Sequence, residues 1–306
     1  MPRVLKWTLP PLALITLVAY VAVAYLIASS ITQADRKDLF NTPADYGLSF
    51  QEIEFASRLG DVALRGWIIP AEGGLNAEGA QAVVLVHGIN STRTGGDGDI
   101  THLASMLVQH GYNVLIFDQR GHGTSDGDHI SGGYFERLDV LGAVDALQDR
   151  GLALDSIGLL GFSMGAATAL LAAADEPGIG ALVVDSPYAD VSDLIAQETA
   201  RTTPVPEWAV PIFIPMTQLL ASVLYNIDVS ALAPENAVAS LDYPILVIHS
   251  TADERIPTQH GIRVHAAAHP DSELWLVEGV AHVDAFDTYP EEYTERVIAY
   301  FAKQLQ

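Results

Sequence analysis

Residues 161–165 read GFSMG, which puts a glycine two positions on either side of Ser163. A serine hydroxyl is a poor nucleophile at neutral pH. Chemistry at Ser163 therefore needs a base to take its proton and a carboxylate to orient that base. The glycines fit such a role. At a tight strand-turn-helix the tip residue takes a strained backbone, and residues two positions away pass so close to neighbouring chain that a Cβ would clash. Gly161 and Gly165 would let strand and helix cross while Ser163 projects from the turn. The plainer reading is a glycine-rich turn that happens to contain a serine. The flanks separate the two readings: an apolar run, 157–160, enters the turn, and an alanine-rich stretch, 164–174, leaves it as a helix.

For a nucleophile on such an elbow the partners follow in chain order, the acid before the histidine. After Ser163 come His249, His260, His265, His269 and His282. His249 ends a strand, where a structural role is expected. His260 and His265 fall on a helix and are expected to be solvated, and His269 precedes Pro270 in a loop. His282 follows the last strand, in VEGVAHVDAF, at the same sheet edge as Ser163, and is the expected base. Asp253, in IHSTADERIP, follows a strand at that edge and is the expected acid; Glu254 and Asp185 are the alternatives. Any of these carboxylates could instead be an ordinary loop or cap residue.

Acyl transfer also needs N–H donors aimed at the developing oxyanion. One is expected from Met164, directly after the nucleophile. The other is expected from Ile89, or from Asn90 next to it, in the loop after AVVLVHG; His87 is read as a hydrogen-bonder that shapes this loop.

The elements that must position these residues alternate. LSFQEIEFASRLGDVALRGWIIPA, 48–71, has strand periodicity on both sides of Gly60-Asp61 and reads as a β-hairpin. Apolar strands follow at 82–88, 113–118, 156–163, 181–187, 244–250 and 273–279. Helical segments fall at 99–110, 134–150, 164–174, 258–268 and 290–304. Strands alternating with helices imply a mostly parallel sheet covered on both faces.

LVHGIN (85–90), FDQRGHGTSDG (117–127), LLGFSMG (159–165), VIHSTADERIP (247–257) and VEGVAHVD (277–284) together resemble the α/β-hydrolase superfamily. The hairpin and DQRGHG look most like its serine aminopeptidase-like and membrane-anchored lipase or depalmitoylase-like branches. The likeness covers about residues 46–304. Ala166 stands where many relatives have a third glycine. The resemblance implies a hydrolase that needs no metal or other cofactor, with Ser163, Asp253 and His282 as its triad. It also implies an inserted lid at the apolar segment Trp208–Tyr225. That segment could pass for a second membrane span, but Pro211 and Pro215 would break a helix there. A single crossing would also strand Ser163 on the opposite side from Asp253 and His282. It is therefore read as part of a cap over about 190–240, suited to an apolar acyl substrate.

The chain has 306 residues, a net charge of −23 and no cysteine. The charge argues against nucleic acid as a partner, and the missing cysteines remove disulfides and thiolate chemistry. Residues 1–34 read as an anchor. Leu9–Ile31 is almost continuously apolar, and as a helix would span about 34 Å, enough for a bilayer core of about 30 Å. A cleaved signal peptide is the rival, but its apolar region is shorter, about 7–15 residues. Arg3 and Lys6 precede the span and Arg36 and Lys37 follow it, a near balance that tips towards the N-terminus inside and the domain outside. Residues 35–45 then form a tether and 46–306 the hydrolase domain. GGDGDIT (95–101) offers Asp97 and Asp99, but a calcium loop needs further ligands and a closing glutamate; Asp99 is read as a helix N-cap instead. His122 and His129 belong to a turn shaping the cleft, and Tyr188 packs locally. The expected substrate is a small-molecule or lipid ester. A thioesterase, small-peptide peptidase or acyltransferase keeps the same triad, and a tethered binding protein that has lost activity is the reading from another class.

Overall fold

The computed structural model describes residues 3–96 and 98–305, and side chains from residue 11 onward. Asp97, weighed above for calcium, lies outside the described residues. In chain order the elements are α1 (Arg3–Thr32), β1 (Gln51–Ala56), β2 (Ala63–Ile69), β3 (Ala82–Val86), α2 (Ile100–Gln109), β4 (Asn113–Asp118), α3 (Glu136–Gln148), β5 (Ile157–Phe162), α4 (Met164–Asp175) and β6 (Ala181–Asp185). There follow α5 (Val191–Thr202), α6 (Val210–Tyr225), α7 (Pro234–Val238), β7 (Leu246–Ser250), α8 (Gln259–Ala267), β8 (Glu273–Val277), α9 (Ala285–Thr288) and α10 (Pro290–Gln304).

The strands form one sheet in the order β1-β2-β4-β3-β5-β6-β7-β8. The β1–β2 hairpin and the β2–β4 pair are antiparallel, and every later pair is parallel. This is the α/β-hydrolase fold. Side chains alternate across the pleat, so each strand feeds two cores. Val84, Leu115, Leu159 and Leu182 pack with Leu141 and Val144 of α3 and Leu170 of α4 on one face. Val83, Leu85, Ile116 and Leu160 pack with Leu103 and Leu107 of α2 and Val297 and Phe301 of α10 on the other. Burial on both faces explains why these strands read as continuous apolar runs.

The register sets the carboxyl edge. Val86 pairs with Gly161, Phe162 with Asp185, and Ser250 with Val277, so β3, β5, β6, β7 and β8 end together. Behind that edge, Arg120 pins the turn after β4: its guanidinium reaches Asp139 of α3 at 2.7 Å and Asp61 at 3.0 Å.

The chain divides into two units. The sheet unit comprises Ala34–Val191 and Leu232–Gln306, and the N-terminal helix joins Ser192–Ala231 in the other. In that second unit α6 is one helix, contrary to the expectation that its prolines would break it. Pro211 occupies the first turn, where its missing N–H has no acceptor to serve, and Pro215 is accommodated one turn further on. Pro11–Thr32 and Glu207–Tyr225 are each long and apolar enough to cross a membrane, with mean hydropathies of 2.3 and 1.5.

Candidate active site

The elbow is built as its glycines require. A Cβ on Gly161 would lie 2.3 Å from the Gly165 carbonyl oxygen, and one on Gly165 would lie 2.2 Å from that of Val86. Only glycine lets β5, α4 and the end of β3 approach so closely. Ser163 takes φ 55° and ψ −120°, a conformation that costs a non-glycine residue on the order of 1–3 kcal/mol. Its N–H donates to the Asp185 carbonyl at 2.9 Å, which ties the strained turn to β6.

The same kind of strain recurs along this edge. Among the described residues of the sheet unit, the non-glycine residues with positive φ are Asn90, Ser163, Ser186 and Val283. Each follows the end of β3, β5, β6 or β8. Strain that gathers on one edge marks a site whose geometry the surrounding fold over-determines.

The expected partners meet there. His282 Nε2 lies 2.8 Å from Ser163 Oγ, and His282 Nδ1 lies 2.6 Å from Asp253 Oδ2. The carboxylate can only accept, so Nδ1 carries the proton and Nε2 accepts from the serine hydroxyl. Asp253 Oδ1 accepts the N–H groups of Arg255 and Ile256 at 2.9 and 2.8 Å. Burial opposes the charge of Asp253, but hydrogen bonds from His249, His282 and the Ile256 N–H outweigh it and hold the carboxyl well below the usual carboxylate range. It is Asp253 rather than the alternative Glu254 that contacts His282 here.

Asp185, the other alternative, supports the site from beneath. Its backbone holds Ser163, and its buried carboxylate accepts the Ser186 hydroxyl at 2.9 Å. Burial pushes its carboxyl up to about 6, against that hydrogen bond. The folded value exceeds the unfolded one, near 4. The stabilising contribution is therefore complete below about pH 4 and is lost as pH rises through about 6. Asp185→Asn removes this dependence. Urea unfolding in detergent should show the variant gaining up to about 3 kcal/mol relative to the parent between pH 4 and pH 7.5; parallel stability curves would refute the assignment.

His87 acts on the loop after β3. Its Nε2 accepts from the Gln119 N–H at 3.1 Å, which leaves Nδ1–H to donate to the Gly88 carbonyl at 2.8 Å. Burial lowers its pKa to about 3, helped by His122 alongside, so it stays neutral. This is the loop-shaping role expected for it, and it fixes the segment carrying Ile89. Met164 opens α4, so its N–H is among those that a helix leaves without an internal acceptor.

Ser163 opens on a cleft of about 450 Å³, its mouth included. Ile89, Ile100, Leu103, Phe162, Val283 and Phe286 give it apolar walls, and Asp99 and Arg255 stand among them. Asp99 caps α2 through the His102 N–H, as expected, and its carboxylate also accepts from Asn41 and from the Tyr46 hydroxyl.

Other expectations are corrected. His260 is buried rather than solvated, and its Nδ1 accepts the Ala189 N–H at 3.1 Å. The first turn of α8 lies under the loop leaving β6, which helix periodicity could not reveal. His249 is structural, as expected, but it also stands 3.5 Å from Asp253 Oδ2. The walls supplied by α2 and α9 and the ties on Asp99 were missed. Only the apolar spacing of Ile100 and Leu103 hinted at them.

A family model described as serine aminopeptidase, S33, matches residues 77–239, more than half of the chain. The chain belongs to the serine aminopeptidase S33 family. The esterase Pf2001 of Pyrococcus furiosus is structurally similar to this family member, with a TM-score of 0.71 and 26% identity over 90% of this chain and 100% of that one. The α/β-hydrolase GrgF from a Penicillium species has a TM-score of 0.67 at 19% identity, covering 84% of this chain and 99% of its own, and speaks for the fold alone. In sequence, this S33 member is 28% identical over 262 residues to the uncharacterized protein YfhR of Escherichia coli K12, covering 84% of this chain and 82% of YfhR. It is 25% identical over 246 residues to the uncharacterized YqkD of Bacillus subtilis, covering 76% and 77%. Fold, family and neighbours agree on a hydrolase.

Proposed function

We propose that this protein is a membrane-anchored serine hydrolase that cleaves carboxylic esters with an apolar acyl group. The observation that carries the reading is the unbroken chain Ser163 Oγ–His282–Asp253, with contacts of 2.8 and 2.6 Å. Ser163 Oγ attacks the ester carbonyl as its proton passes to His282 Nε2, and Asp253 stabilises the imidazolium. The N–H groups of Met164 and Ile89 receive the oxyanion. Collapse expels the alcohol, which takes the proton from His282. Water, deprotonated by His282, then releases the acid from the acyl-enzyme.

The apolar cleft walls favour an acyl group over a charged one. A peptidase that reads a free amine needs a spare carboxylate. Among the described residues that line the cleft, the carboxylate is Asp99, and Asn41, Tyr46 and His102 already occupy it. The anchor reading rests on the length and apolarity of Pro11–Thr32.

The test uses the full-length chain in detergent with a serine-reactive fluorophosphonate. Labelling is expected in the parent and is expected to vanish in Ser163→Ala, with hydrolysis falling roughly 10³-fold or more. An ester and thioester series of graded chain length then identifies the acyl preference. A folded parent that resists the probe would overturn the enzymatic reading in favour of a binding protein.

A further inference from the structure

From the α1–α6 pair we infer that α6 is itself a lipid-contacting helix, seated in the bilayer beside α1 without crossing it. This rests on the reading of α1 as a membrane anchor. Three observations carry it further.

First, α6 has no charged side chain from Val210 to Tyr225 and leaves Ile212, Leu219, Val223 and Leu224 exposed; Trp208 just before it is 79% exposed. A soluble surface helix pairs one apolar stripe with a polar face. Here the face turned away from the rest of the unit is apolar too, as is the corresponding face of α1 at Leu17, Val18 and Leu26. The two exposed faces belong to one compact unit, so the partner that suits one suits both.

Second, the pairing is built as helices are built in lipid. Pro215 removes a backbone donor from the middle of α6 and disturbs the turn before it. In that turn the Ile212 carbonyl accepts the Tyr20 hydroxyl of α1 at 3.0 Å, and the Tyr20 ring stacks on Phe213. Further along, the Thr217 hydroxyl donates to the Ala24 carbonyl of α1 at 3.4 Å. In water neither hydroxyl needs a helix carbonyl as its acceptor. In hydrocarbon each must find one within the protein, and polar contacts beside small residues are how such helices hold together.

Third, the chain cannot cross at α6. Ser163 precedes it, His282 follows it, and the two touch. Both flanks of α6 therefore lie on one side of the membrane, and the helix enters and leaves the same leaflet surface.

The absence of native cysteine allows a direct test on the full chain. Single cysteines replace Leu219 or Val223 on α6, Leu17 on α1 and, as a water-facing control, Leu59, which is exposed in the β1–β2 turn. Each is labelled with an environment-sensitive fluorophore, reconstituted in phosphatidylcholine vesicles and exposed to brominated lipids or aqueous iodide. The expected result is loss of emission to brominated lipid at Leu219→Cys, Val223→Cys and Leu17→Cys, with Leu59→Cys quenched by iodide alone. Lipid quenching at position 17 with iodide quenching at 219 and 223 keeps the anchor and overturns the inference. Positions 219 and 223 shielded from both quenchers mean that protein or a second copy covers α6, which also overturns it. Iodide quenching at all four positions removes the anchor and the inference together.

Discussion

Asp253→Asn is expected to lower turnover by about 10³–10⁴-fold while leaving the fold and the Michaelis constant nearly unchanged. The asparagine oxygen can keep the Arg255 and Ile256 N–H bonds that Asp253 Oδ1 now accepts. The change falls on the other atom. An amide NH₂ facing His282 Nδ1 donates where the carboxylate accepted, so the ring proton moves to Nε2. That nitrogen, now 2.8 Å from Ser163 Oγ, can then no longer take the serine proton. The loss is therefore in kcat, because proton transfer to Nε2 belongs to the chemical step and not to substrate binding. Glu254→Gln, one residue away, is expected to stay within about twofold, because its side chain is exposed while Asp253 makes the contact to His282. Steady-state kinetics on the best ester from the chain-length series decides the matter. If Asp253→Asn kept a tenth or so of the parent turnover and Asp185→Asn lost it, the acid would have to be moved to the end of β6.

The second large effect is structural. Gly165→Ala would set a Cβ 2.2 Å from the Val86 carbonyl oxygen and 2.3 Å from that of His87. Both atoms are backbone at the end of a central strand, so no side chain can swing aside. Either α4 lifts from the sheet or β3 shifts, and the oxyanion loop moves with β3. We expect a loss of more than about 3 kcal/mol, seen as aggregation or a greatly lowered melting temperature, with no probe labelling in any folded remainder. Ala166→Gly is the contrast. It removes one methyl group next to the elbow and is expected to cost about 1 kcal/mol for glycine in a helix, with labelling retained. A well-folded, fully active Gly165→Ala would mean that the elbow is looser than the close approach of α4 and β3 implies.

The candidate site was legible in the sequence to the extent that its parts are local. GFSMG declares a crossing of strand and helix because two glycines within five residues answer to backbone contacts made within that turn and its neighbours. The alternation of buried strands and helices follows from a sheet covered on both faces, and Asp99 could be read as a cap because its acceptor serves the first turn of its own helix. The choice of His282 and Asp253 needed one more step, the inference that loops following parallel strands share an edge. That step rests on chain direction and could be taken without coordinates.

What the tertiary structure alone decided concerns groups far apart in the chain. No periodicity says that His260 lies under the loop leaving β6, that His249 stands beside the acid, or that Asn41 and Tyr46 occupy the cleft carboxylate. The prolines of α6 are the clearest case. Read along the chain they end a helix, since a lost donor has no local substitute. In the fold α6 continues through Pro215, and Tyr20, 192 residues away, packs on the turn before it and donates to the Ile212 carbonyl. Backbone stereochemistry acts over a turn or two and is written in the sequence there. Which distant group packs against a helix turn or covers a titratable side chain depends on packing, and only the folded chain determines it.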